Sequence, residues 1–391
     1  LFASQQVLES RSADGSNQAN GFVDITSSRF PQLYAPVNSA DPNSSRAPGG
    51  ADFDLNHWQP LRVATGALVD DNGIPAIDSD DPSTYADQTF LTPHWGNLTP
   101  FSLTSANQFR PQSPPQAGSS RPYTDGKGVT MTNDEAWNAQ FDEVLQISAD
   151  LTDRQKVIAE FWADGPRTES PPGHWNQLAH GVSERDGHSV DEDIKMFFAL
   201  NASLFDVAIA TWEAKRNYDF IRPASAIRHK YFDQTINAWA GPNLGTQPIL
   251  GQEWRPYQNV TFVTPPFPEF VSGHSTFSSS AAQVLTLFTG SNVFYDGVTQ
   301  TSQDVNFDGK LDMLGEYIAY AGSATFENTP AEDVVLQWPT FQDAAYEAGI
   351  SRLYGGIHIQ DGNLFGRAMG EAIGQQAFAL AQSYWDGSIA R

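Results

Sequence analysis

The sequence predicts a mainly α protein: helical bundles preceded by an irregular N-terminal wrap. Three observations predict it. From about residue 130 onward, apolar residues recur at helical spacing in several long segments. Before that point the chain is rich in Pro, Gly, Ser, Asn and Asp and holds few long periodic runs. Nothing in the second part alternates strands with helices, so packed helices are the natural way to bury the apolar stripes. The expected division is residues 1–130, an aromatic-anchored wrap, and 131–391, a helical-bundle region that carries the functional pocket.

In the first part, Asp80-Asp81-Pro82-Ser83, Asn97-Leu-Thr-Pro100 and Pro111-Gln-Ser-Pro-Pro115 read as turns. Trp58, Phe90, Trp95, Phe101 and Phe109 punctuate it, and side chains of that size fit anchors onto a neighbouring core. Thr132-Asn133-Asp134-Glu135 is a helix start signal, followed by Trp137, Phe141, Val144 and Leu145 at helical spacing. A second helix is expected over Asp153–Ala163, ended by Gly165-Pro166. Glu169 to Trp175, with two prolines and a glycine, reads as a stiff loop carrying His174. A long helix follows over 190–217 on a broad apolar face from Ile194 to Ala210, and further helices are expected over 274–288, 331–350 and 362–385.

Composition excludes several function classes. The chain has 46 acidic and 22 basic residues, a formal charge of −24, which disfavours nucleic acid and anionic membranes as partners. It has no cysteine, so disulfides, thiolate catalysis and Cys-ligated metals are excluded. No run of about 18 apolar residues appears, so no membrane span is expected. The chain begins Leu1-Phe2-Ala3, as a processed protein would, and a secreted or periplasmic location is the expectation.

The chemistry concentrates around Pro265-Pro-Phe-Pro-Glu-Phe-Val-Ser-Gly-His-Ser-Thr276. The residues after His274 are helical, so Ser272 and Gly273 fall at a helix N-terminus, where unpartnered amides and the dipole favour an anion. Upstream, Lys215 and Arg222 are seven apart, two turns of helix, and are expected on one face before Pro223 ends or kinks it. Downstream, Arg352 and His358 flank Tyr354-Gly355-Gly356. Each motif alone reads as a cap, a solvated helix face or an interior histidine. Together they describe a pocket for a compact, multiply charged tetrahedral oxyanion. His358 is placed to bond its central atom, and His274 to act as acid or base on the opposite side. Few carboxylates interleave with these donors, Asp219 being the exception, so an anion is needed to neutralise them.

Lys-x6-Arg-Pro, Ser-Gly-His and Ser-Arg-x5-His, as a set over residues 212–358, resemble the signature shared by vanadium-dependent haloperoxidases and type-2 phosphatidic acid phosphatases. Val271 stands where that pattern usually has proline. The resemblance implies that Lys215, Arg222, Ser272, Gly273 and Arg352 hold vanadate oxygens, that His358 ligates vanadium, and that His274 is the acid–base residue, with Lys215 also polarising bound peroxide. Trp212 and Phe267 are similar to aromatic residues that line the halide pocket of the fungal chloroperoxidase. Looser likeness to bacterial members of the group covers Asn56–Leu61 and Phe161–Trp175. The implied fold is the chloroperoxidase-like helical bundle. The implied activity is vanadate-dependent oxidation of halide by hydrogen peroxide to hypohalous acid or an equivalent, which halogenates a small organic acceptor.

The alternative enzyme is a soluble acid phosphatase using the same pocket, with His358 forming a phosphohistidine. A non-catalytic binding protein stabilised by calcium is a third reading, and it leaves the paired histidines unexplained. Asp304, Asn306, Asp308, Lys310 and Asp312 occupy positions 1, 3, 5, 7 and 9 of a calcium-type loop, with Gly309 at 6. Its twelfth position is Gly315, not Glu, so a structural calcium site and a solvated acidic turn are equal readings. Monomer and homodimer are both compatible with the sequence.

Overall fold

The computed structural model describes residues 2–70, 74–305 and 308–389. Its helices are α1 (Phe2–Arg11), α2 (Asn133–Ala149), α3 (Asp153–Phe161), α4 (Ser170–Asp186), α5 (Val190–Tyr218), α6 (Pro223–Lys230), α7 (Gly273–Thr289), α8 (Phe341–Tyr354) and α9 (Gln360–Asp386). Among the described residues, four antiparallel two-stranded sheets join them: β1–β2 (Arg62–Ala64, Tyr85–Asp87), β3–β4 (Pro122–Thr124, Thr130–Thr132), β5–β6 (Thr235–Trp239, Thr246–Leu250) and β7–β8 (Glu316–Ala319, Val334–Gln337).

Helix starts follow local chemistry. Thr132 with Glu135, Thr152 with Gln155, Ser189 with Glu192 and Thr340 with Asp343 form reciprocal capping boxes on α2, α3, α5 and α8. Each satisfies two donors that the first helical turn leaves unpaired. The stretch from Glu169 to Trp175 is not a loop. Pro171 and Pro172 lie in the first turn of α4, where a missing N–H costs nothing, so the prolines begin a helix instead of breaking one. The helix expected over 331–350 is likewise shorter, because Val334–Gln337 pairs with Glu316–Ala319 and α8 starts only at Phe341.

At the centre lies α7, packed against α4, α5, α8 and α9. Its middle is small: Ser278, Ser279, Ser280, Ala281 and Ala282 are all buried. Facing it, Gly370 and Gly374 of α9 sit so close that an added Cβ would lie 2.3 Å from the Thr276 carbonyl and 2.7 Å from that of Ser280. This contact holds the N-terminus of α7 rigidly beside α9. Around it, side chains such as Leu200, Val207, Val284 and Leu285 are fully buried, each contributing about 1.5–3 kcal/mol.

The N-terminal segment is strapped to this bundle by polar and aromatic anchors. Trp58 is buried against Tyr34 and Phe90, and its backbone N–H donates to the Asp219 carbonyl at 2.6 Å. Asp206 of α5 accepts from the Phe101 and Ser102 amides at 2.6 and 2.8 Å. Arg29 and Arg110 both bind Glu213. The Leu91 amide donates to the Pro266 carbonyl, fastening the wrap to the proline-rich approach.

The stretch Val190–Lys230 is, by length and composition alone, long and apolar enough to cross a membrane, a test that the core helix of a soluble protein also passes. Of its most apolar window 56% is buried inside the protein, as in a core helix, and the chain leaves the helix at Asp219.

Candidate functional site: a buried oxyanion pocket

Ser272 is the N-cap of α7, its hydroxyl accepting from the Ser275 amide. Gly273 is the first helical residue. A Cβ built there would meet only Phe277, at 4.0 Å, and its φ is not in the left-handed region. Neither crowding nor backbone conformation therefore requires glycine. Space is thus open beside Gly273, at a helix end whose unpartnered amides favour an anion.

Lys215, Arg222 and Arg352 are buried around this helix end. Lys215 and Arg222 do not share a helix face, contrary to the sequence expectation. Asp219 leaves α5 in a left-handed conformation (φ 48°), Arg222 is the N-cap of α6, and Pro223 starts that helix. The turn still brings both cations onto the proline-rich approach to α7. Lys215 Nζ donates to the carbonyls of Pro268, Glu269 and Val271 at 2.9, 2.8 and 2.7 Å. All three of its N–H bonds are thus engaged, and it acts on the pocket by charge. Arg222 donates to the Phe267 and Ile357 carbonyls and, at 3.1 Å, to His358 Nε2. Arg352 donates to Ser351 Oγ and the Ala159 carbonyl, both at 2.8 Å. Burial pushes Arg222 down to about 9 and Arg352 to about 10, and burial with Arg222 nearby pushes Lys215 well below its usual range. Such shifts record positive charge held out of water without enough counter-charge.

Two carboxylates stand in the pocket, and neither is Asp219, which turns away to accept from the Tyr34 hydroxyl at 2.6 Å. Glu269 is fully buried, with Oε1 2.5 Å from His358 Nδ1. Burial raises it to about 7, against the pull of Lys215 and Arg222. Burial and the same two cations keep His358 neutral, well below its ordinary value. Asp164 lies 3.6 Å from His274 Nε2 and 3.0 Å from His174 Nδ1. Burial works against its charge, but the bond from His174 and the nearby His274 and Arg352 hold it below the usual carboxylate range. His274 Nε2 has no hydrogen-bond partner, and burial together with Arg352 lowers its pKa to about 3.

The structure therefore gathers Lys215, Arg222, Ser272, Gly273, His274, Arg352 and His358 at one place. Glu269 and Asp164 were not foreseen as site residues, and His174 only as part of a stretch whose lesser reading is an active-site wall. Glu269 is readable only as the acid within Pro265–Phe270, and Asp164 only as the acid beside Trp162 and Gly165. Trp212 and Phe267 do meet, with ring centroids 5.0 Å apart. Phe267 lies over Lys215 and Arg222 at 5.0 and 5.1 Å, while the Trp212 indole N–H is engaged by the Leu91 carbonyl. Trp212 and Phe277 also line an apolar cavity of about 310 Å³ with Leu91, Thr92 and Trp95 of the wrap.

In the acidic loop, Asp304 accepts from the Asp308 and Gly309 amides, Asp308 from the Lys310 amide and the Tyr320 hydroxyl, and Asp312 from the Val305 amide. Asn306 lies outside the described residues.

The donor set fits vanadate. Three buried cations outnumber the two nearby carboxylates, the space at Gly273 would be filled by a Cβ, and His358 turns Nε2 away from Glu269.

Residues 195–387 match the family model of the second helical-bundle domain of vanadium chloroperoxidase. Vanadium chloroperoxidase of Curvularia inaequalis is 22% identical over 379 residues, covering 86% of this chain and 55% of its own length. The chain thus spans about half the length of that curated relative. A holo-type bacterial vanadium-dependent chloroperoxidase superposes with a TM-score of 0.73 at 23% identity, over 98% of this chain and 72% of its own. The apo-type bacterial enzyme gives 0.74 at 23% identity, over 99% and 74%. A bacterial vanadium-dependent iodoperoxidase gives 0.53 at 24% identity, over 78% and 61%. The bundle of residues 195–387, which carries the cations, both histidines and the helix end described above, is thus the part of the chain that matches the second helical-bundle domain of vanadium chloroperoxidase.

Proposed function

We propose that the chain is a vanadate-dependent haloperoxidase, oxidising halide with hydrogen peroxide and halogenating a small organic acceptor. The observation that carries the reading is the glycine-floored space at Gly273, ringed by Lys215, Arg222 and Arg352 and faced by His358. Bound vanadate would supply an electron-poor metal that activates peroxide for oxygen transfer. Ser272 Oγ, the Gly273 amide and the guanidinium groups would hold its oxygens, and Lys215 would offset its charge. His358 Nε2 would ligate the metal. His274 Nε2 is unpaired; burial and Arg352 hold its pKa at about 3, so it would accept the proton that peroxide gives up once a bound anion raises that value. Phe267 covers the two cations, so a halide near it would feel their field without their N–H bonds. The apolar cavity beside Trp212 is suited to an organic acceptor.

A secreted or periplasmic location belongs to this reading, and so does a structural calcium ion at Asp304–Asp312. A calcium-dependent rise in melting temperature would support that ion.

The test is a paired assay on metal-stripped protein with and without orthovanadate. One arm follows bromination of a diketone dye by peroxide and bromide; the other follows hydrolysis of an aryl phosphate. Vanadate-dependent bromination with negligible hydrolysis is expected. Hydrolysis inhibited by vanadate, without halogenation, would overturn the reading in favour of a phosphatase acting through His358.

A further inference from the structure

We infer that Glu269 is a positioning residue that locks His358 in the one tautomer able to bond the oxyanion's central atom. The inference deepens the vanadate reading and rests on it for the identity of the ligand.

Two independent contacts fix the same tautomer. The Arg222 guanidinium can only donate, so His358 Nε2, 3.1 Å from its terminal nitrogen, is the acceptor and carries no hydrogen. The imidazole is neutral, so its hydrogen sits on Nδ1 and is given to Glu269 Oε1 at 2.5 Å. Arg222 would turn to the anion when one enters, and its hold on Nε2 would end. Glu269 is the contact that persists, because it grips the opposite side of the ring.

The carboxylate is itself held. Oε1 also accepts from the Ile359 amide at 3.2 Å, next to the histidine. Gly362, at the start of α9, makes room for it: a Cβ there would lie 2.2 Å from Oε1. Oε2 is buried without a hydrogen-bond partner, so the group is not placed for fold stability alone. Electrostatics sharpens the point. A carboxylate among the cations of an anion pocket opposes anion binding by like charge. If charge were its main effect, deleting Glu269 would tighten every oxyanion. If orientation is, deletion weakens only an oxyanion that must bond to Nε2.

Glu269→Ala and Glu269→Gln separate these outcomes, with orthovanadate and sulfate as probes and calorimetry for affinity. Sulfate has the oxyanion shape but forms no bond to imidazole. The His358 ring is read by side-chain nitrogen NMR of histidine-labelled protein, assigned by its loss in His358→Ala. With sulfate bound, so that Arg222 no longer holds Nε2, we expect the Nδ1–H tautomer in wild type and in Glu269→Gln, whose amide oxygen still accepts, and a mixture in Glu269→Ala. Vanadate affinity should fall on the order of 10–100-fold in Glu269→Ala, as for other partners of metal-bound histidines, and recover at least in part in Glu269→Gln. Sulfate affinity should hold or rise. An unchanged tautomer in Glu269→Ala, or vanadate bound as tightly as by wild type, overturns the inference. If wild type prefers vanadate no more than sulfate, the vanadate reading fails, and the ring's tautomer still decides the role of Glu269.

Discussion

The pocket has two walls, each with a histidine facing a carboxylate, and they are built differently. On one wall His358 and Glu269 are 2.5 Å apart, with the carboxylate tied to the Ile359 amide. On the other, His274 Nε2 and Asp164 are 3.6 Å apart, too far for a hydrogen bond, and Asp164 is engaged by His174 instead. His358 is buried, whereas 14% of the His274 side chain is exposed. A ring that must present one lone pair to a fixed atom gains from being clamped. A ring that must take and return a proton gains from a nitrogen that no other group engages, as His274 Nε2 is, buried though that atom is. Under the proposed function, the clamped wall would serve as the ligand and the loose one as the base.

The comparison breaks most visibly at His358. His358→Ala should abolish retention of vanadate through gel filtration, a loss of more than about 100-fold in affinity, beyond the effect of losing a supporting partner. His274→Ala should keep vanadate within about tenfold and instead lower peroxide- and bromide-dependent turnover by about 10²–10⁴, the usual contribution of a positioned acid or base. Equal losses of retention in the two variants would show that the walls do not divide the work. A third variant probes the floor between them. Gly273→Ala should fold with an unchanged melting temperature, since its Cβ has room, yet bind both vanadate and sulfate more weakly, by about tenfold, because the methyl blocks the approach to the amides. A large drop in melting temperature would mean that the glycine serves the fold.

Much of this site was legible because its parts are local motifs. Ser272-Gly273-His274 sits at a helix start that the following apolar spacing reveals, and Arg352 and His358 flank a pair of glycines. The cap of α2 was readable for the same reason. Errors arose where one residue changes the local geometry. Asp219 in a left-handed conformation separates Lys215 from Arg222, and nothing in the spacing of the two cations reveals it. Pro171 and Pro172 start α4 because a first turn needs no N–H, although paired prolines usually suggest a loop. The carboxylates were hidden for a further reason. Glu269 acts through His358, 89 positions away, in room left by Gly362. Asp164 meets His274 only once α3 and α7 are both packed on α8. Long-range placement of this kind leaves no period and no motif.

The smallest expected effect concerns protons on the loose wall. Without an anion, His274 is neutral because burial and Arg352 push its pKa to about 3. The unfolded chain binds a proton at this residue below about 6.5, so its contribution to stability is full above that pH and is lost as pH falls toward 3. One such group gives a slope no steeper than about 1.4 kcal/mol per pH unit. An anion beside Arg352 cancels that cation's field and adds negative charge of its own, and both raise the pKa of His274. Sulfate binding at pH 5 should therefore take up a fraction of a proton, seen as a dependence of the binding heat on the ionisation enthalpy of the buffer. Part of that uptake belongs to Glu269, which the same anion also favours in its protonated form. The share lost in His274→Ala isolates the histidine. If wild type and His274→Ala take up the same amount, the proton on this wall resides on Asp164 or His174, one group deeper, and His274 is a conduit to them instead of the base.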